Sequence, residues 1–135
     1  MTIAFTITPK ELERQAGLAF VGLAYRVSLH YKQDTVLTDA STVAAWDAVK
    51  VATANGYADV TGTIAAGAYN VSTGRFELPV IQALFSSTGA GYSYDSVLIR
   101  IASATYPHSI GLFTEQQVLQ SGQEQTFTLL LANDN

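Results

Sequence analysis

The chain has 135 residues, 48% of them apolar and 13% charged, with a net charge of −4 and no cysteine. That length fits a single domain with its own core over residues 1–135, and the lack of cysteine excludes a disulfide frame or a thiolate metal site. The seven basic residues (Lys10, Arg14, Arg26, Lys32, Lys50, Arg75 and Arg100) form no run, so neither nucleic acid nor a membrane surface is an expected partner. The charged fraction lies well below the roughly 25% of an average soluble domain. It fits either a sheet faced with Thr, Ser and Tyr or a surface covered by other subunits.

In chain order, Ile3, Phe5 and Ile7 alternate with Ala4 and Thr6, which predicts a first strand ended by Pro9. Lys10–Gln15 is charged and short, an exposed turn or one helical turn. The start lacks the basic residues and continuous apolar stretch of a secretory leader. Ala16–Tyr25, the longest run without a polar side chain, is too short for a membrane-spanning helix, which needs about 20 residues. It predicts a buried strand bent at Gly17 and Gly22. From Leu23 to Tyr31 the alternation places Leu23, Tyr25, Val27, Leu29 and Tyr31 inward and Ala24, Arg26, Ser28 and His30 outward, a half-buried strand. Thr42–Val49 is the one expected helix, capped by Asp39 or Ser41 and anchored by Trp46 over an open end of the sheets. Trp46 as a sugar-stacking platform is the alternative.

After Asn55-Gly56 a strand is expected with Ala58, Val60 and Ile64 inward and Tyr57, Asp59, Thr61 and Thr63 outward. Asn70–Gly74 is turn material. Phe76–Phe85 reads as a strand interrupted by Pro79, Ser86–Gly91 as a hairpin connection, and Val97–Ile101 as a central strand interrupted by Arg100. Ser103–Ser109 is loop, Ile110–Leu119 a further short strand with a turn, and Thr126–Leu131 the last strand. Short strands between turn residues predict an all-β, antiparallel sandwich, jelly-roll-like or a hairpin meander, with one short helix.

Residues suited to chemistry are scarce. His30 and His108 have no acidic or histidine neighbour at ligand spacing, and no stretch matches a calcium loop, so no metal site is expected. Glu11 with Glu13, and Asp95 near Tyr92 and Tyr94, are the nearest approach to an acid/base pair; both read as solvated turn residues. The glycines of Thr88–Gly91 open no helix and precede no Lys-Ser/Thr pair, which separates them from a phosphate loop. No nucleophile elbow is present, and neither catalysis nor a cofactor is expected. Tyrosines gather at turns and strand ends, where they serve either as contact residues or as covers for the core.

From Trp46 to Leu131 the order of AAWDAV, ANGYADVTGTI, GRFELP, STGAGYSYDSVLIRI and SGQEQTFTLLL resembles small accessory structural proteins of tailed bacteriophage virions, notably cyanophage-like ones. The resemblance implies a virion location and a role as a capsid cement or decoration protein, bridging subunits of the major capsid protein or other virion proteins as a homo-oligomer. On that expectation the contact residues are Ile3, Phe5 and Ile7 of a terminal strand, with Tyr57, Tyr92 and Tyr94. The alternative is a receptor- or glycan-binding module of a fibre or tail that uses the same three tyrosines as stacking platforms.

Overall fold

The computed structural model describes residues 2–4, 20–77 and 79–129. The described residues form eight strands and one helix: β1 Ala24–His30, α1 Val43–Asp47, β2 Val60–Thr63, β3 Ala68–Asn70, β4 Arg75–Glu77, β5 Ile81–Ser86, β6 Tyr92–Ile101, β7 Ser109–Leu119 and β8 Glu124–Leu129. A four-stranded sheet runs in the order β2-β1-β6-β7; β5 pairs with β8, and β3 with β4, all antiparallel. The architecture is the expected all-β sandwich-like fold with one short helix.

The connection at Ser86–Gly91 is not a hairpin. β5 and β6 lie in different sheets, as do β7 and β8. The pairing of Ser86 with Glu124 stops at the end of β5 and resumes at Tyr92 with Leu119. The four strands are therefore one long antiparallel ribbon doubled over on itself, as in a jelly roll, bent at residues 87–91 in one arm and 120–123 in the other. The bend is tied from within. Ser87 N–H donates to the Gln123 carbonyl, Gly122 N–H donates to the Ser87 carbonyl, and Ser87 Oγ donates to the Leu119 and Gln120 carbonyls. Asn55 clamps it from outside: Thr88 N–H donates to its carbonyl, and its Nδ2 donates to the Gly91 carbonyl at 3.1 Å.

Doubling the ribbon lays Ile81, Ala83 and Phe85 of β5, with Phe127 and Leu129 of β8, against Val27 and Leu29 of β1 and Val97, Ile99 and Ile101 of β6. Each such side chain removed from water contributes about 1.5–3 kcal/mol. β5 shows why its sequence suits this place, since buried and exposed positions alternate along its whole length. Pro79 falls in the gap between β4 and β5, where no ladder amide is needed. In β6 the inward set changes phase, from Tyr94 to Val97, because the register with β7 slips between Tyr94 and Ser96; a bulge moves the alternation by one residue. β6 is central, as expected from its apolar run.

Four other expectations meet the structure differently. Phe20–Leu23 is a turn leading into β1 rather than part of a buried strand, although Gly22 does mark the bend. Thr42, not Asp39 or Ser41, caps α1: its Oγ1 accepts from Ala45 N–H at 3.2 Å, while the Ser41 hydroxyl is engaged by Thr38 N–H. The helix covers the outer face of the four-stranded sheet instead of an open end, and Trp46 is fully buried there, which removes the sugar-platform reading of that residue. The proposed terminal strand meets the described residues only at Ile3, which is exposed and outside any strand; Phe5 and Ile7 lie outside the described residues.

The bend yields a test. Gly91 has φ +70°, and a Cβ there would collide with the Leu119 carbonyl oxygen. Gly91→Ala is expected to destabilise the fold by roughly 2–4 kcal/mol, combining left-handed strain with a clash against backbone. A urea midpoint within error of the wild type would show that the corner is not fixed as described.

Candidate functional site

The tyrosines expected to be displayed build the interior instead. Tyr57 and Tyr94 are 3% and 4% exposed, and Tyr92 is half-buried with its hydroxyl donating to the Ser86 carbonyl at 2.7 Å. Their rings form a continuous aromatic series. Tyr92 meets Tyr57 edge-on, Tyr57 stacks on Phe85, Phe85 meets Phe127, and Phe127 meets Tyr94 and Phe113. Tyr57 and Tyr94 thus cannot act as exposed stacking platforms.

Tyr57 has a second task. The ladder of β2 on β1 ends at Val27, because β2 has only four residues. Beyond that point Leu29 N–H donates to the Tyr57 hydroxyl oxygen at 2.9 Å, and the Tyr57 hydroxyl donates to Asp59 Oδ1 at 2.6 Å. Burial and the bond to Asp59 push the phenol far above its usual pKa, so it remains a proton donor throughout the working range. Val51 N–H and the Val49 carbonyl complete the edge of β1 by bonding Leu29 and Tyr31. Tyr57→Phe leaves a buried backbone donor without its acceptor and takes from Asp59 its closest partner. A loss of about 1–3 kcal/mol is expected in urea unfolding; no loss would mean that the hydroxyl is dispensable.

His30, expected on the outward face, is fully buried under α1 together with Ser28, Ser96 and Leu98. Its Nδ1 lies 2.8 Å from the Trp46 carbonyl oxygen, which can only accept, so Nδ1 carries the proton. Nε2 is then the acceptor for the Ser28 hydroxyl at 2.7 Å. The Ser-His pair has no route to a substrate and serves as a polar join between sheet and helix. Burial lowers the His30 pKa, partly offset by the bond to the Trp46 carbonyl and the Asp47 and Asp59 carboxylates. The unfolded chain therefore takes up a proton more readily below about pH 6.5. Stability is full above that value and is lost as the pH falls toward the depressed folded pKa. His108 is shifted the same way by burial, its ring edge-on to Phe20. A His30→Gln variant should show a shallower decline in melting temperature than the wild type between about pH 7 and pH 5; parallel declines would remove His30 as a source of acid sensitivity.

Asp95 is a capping residue: its two carboxylate oxygens accept from Lys32 N–H and Gln33 N–H at 2.9 and 2.8 Å. Among the described residues no group of three His, Cys, Asp or Glu is placed to hold a metal ion. Among the described residues no helix is long and apolar enough to cross a membrane. Comparisons with protein-family models, curated proteins and solved structures found no match. The functional reading therefore rests on the surface of the fold.

Two surface features stand out. The first is β7, an eleven-residue strand at the edge of the four-stranded sheet. It exposes Leu112 and Val118 by more than half and Phe113 by about a third (58%, 53% and 36%) and carries no Pro, Lys or Arg. The second is a groove of about 620 Å³ on the outer face of β2, β1 and β6, beside the part covered by α1, with Arg26, Arg100, Thr61, Thr63 and Ser103 in its lining. Sequence reading missed both. An isolated arginine in each of two apolar strands was the available signal for the groove, but only the register shows that the two stand directly opposite each other.

Proposed function

We propose that this protein is a virion structural component, a capsid cement or decoration protein that stabilises a shell by covering the joins between its subunits. The carrying observation is β7. An edge strand offers a row of backbone donors and acceptors to a partner, and natural monomers protect such edges with lysine, proline or short length. β7 has eleven residues and neither protecting residue type, with exposed apolar side chains beside it. Its protective devices are the bulge opposite Asp95 and the single exposed charge of Glu115. Partner strands that add to an edge gain main-chain hydrogen bonds as affinity and alternate side-chain pockets as specificity. Leu84 and Val80, each about half exposed, extend the apolar area on and beside β5. The low charged fraction and the order of motifs between Trp46 and Leu131 are consistent with this role. The glycan-binding alternative loses support with the burial of Tyr57 and Tyr94.

Shells lacking the protein should melt at a lower temperature than complete ones, and added protein should restore them. Val118→Asp and Leu112→Lys, at exposed positions, should leave the protein folded yet remove the restoration. Unchanged shell melting on adding wild-type protein would sink the proposal.

A further inference from the structure

The groove beside α1 brings together charges that do not ordinarily stand side by side. Arg26 of β1 and Arg100 of β6 are direct cross-strand partners. Like charges placed opposite each other on one sheet face repel, and an arrangement of this kind requires negative charge nearby. Two carboxylates supply part of it. Arg100 Nη2 donates to both oxygens of Asp47, at 2.8 and 3.1 Å. Asp59 lies 3.7 Å from Arg26 but only 3.1 Å from Lys50, and it also accepts from Tyr57. Among the described residues Arg26, Lys50 and Arg100 thus face Asp47 and Asp59, which leaves one positive charge in surplus there on a chain whose net charge is −4.

Donor capacity is in surplus as well. The buried Nε–H of Arg100 has no acceptor among the described residues. Among the described residues Arg26, about half exposed, makes one long ion pair. The hydroxyl-bearing Thr61, Thr63 and Ser103 line the same groove. Planar guanidinium donors recognise carboxylates through paired, charge-assisted hydrogen bonds. A single negative charge matches the surplus.

We propose that this groove is a binding site for a carboxylate, held between Arg26 and Arg100 with the groove hydroxyls as further donors. The carboxylate comes either from a small organic acid or from a Glu or Asp side chain of another protein. None of the groove's lining residues belongs to β7, so the site stands independently of the docking role proposed for that edge.

The test is an NMR titration of the full chain, following the arginine Nε–Hε signals. Sodium acetate is added in one arm, a short blocked peptide with one Glu between threonines in a second, inorganic phosphate in a third, and sodium chloride in a control. Acetate and the peptide should shift the Arg100 signal saturably at concentrations where chloride does not. Equal affinity for both identifies a small acid as the ligand, and markedly tighter peptide binding identifies a partner chain. Arg26→Gln, at a solvated position, should weaken binding about tenfold. Asp47→Asn, which removes the internal competitor for Arg100, should strengthen it; an unchanged melting temperature at the titration pH is the check on folding. Shifts no larger than those from chloride, or binding indifferent to Arg26→Gln, would overturn the proposal. Tighter binding of phosphate than of either carboxylate would overturn the assignment of the ligand.

Discussion

The bend at Ser87 and Gly91 is the constraint on which the rest of the molecule depends. A flat ribbon of β5–β6 against β7–β8 would expose one whole apolar face. Doubling it at that corner turns the same side chains inward and lets β1 complete the sandwich. Within the corner Ser87, 2% exposed, and Gly91 are buried, while Thr88–Ala90 and Gln120–Gln123 around them are exposed. Buried backbone groups there must find partners within the protein, and Ser87 supplies or satisfies four of them. Asn55 ties the corner to the approach to β2, and Tyr57, two residues on, carries that tie into the core. The corner, the short strand β2 and the edge of β1 therefore form one connected set of hydrogen bonds.

The two faces of the four-stranded sheet follow from this arrangement. One is filled by β5 and β8. The other is divided: α1 covers Ser28, His30, Ser96 and Leu98, while the rest is left as a groove with arginines in its lining. Asp47, the last residue of α1, pairs with Arg100 at the boundary. The fold thus separates a neutral polar join under the helix from a charged surface beside it. Because β6 lies between β1 and β7, the four-stranded sheet among the described residues offers its length to another chain along β7, β2 having four residues.

Much of the fold was legible in the sequence because alternation in β1 reports a buried face directly, because the apolar run Val97–Ile101 marks β6 as a central strand, and because Pro79 can be accommodated only in a gap or at an edge. The candidate sites were less so, for reasons that lie in particular residues. Ser-Ser-Thr-Gly-Ala-Gly has the same turn chemistry whether it closes a hairpin or bends a ribbon, and only the distant pairing of β5 with β8 decides between them. Tyr57 was placed outside by extending the alternation of Val60 and Ile64 backward, but β2 begins at Val60 and the rule does not reach further. His30 does fall on the face opposite Val27 and Leu29. What buries it is a helix whose packing partner cannot be inferred from local pattern. The Arg26–Arg100 pair depends on register between strands some seventy residues apart in the chain, which periodicity does not encode.

The central claim is that β7 is an open edge completed by another protein. Hydrogen exchange of the protein alone and bound to shells stripped of it tests this most directly. The account predicts that the outward-facing amides of β7 exchange rapidly in the free protein and become strongly protected on the shell, while those of β6 change little. Binding that leaves β7 exchange unaltered, or free protein in which that edge is already protected, would contradict it.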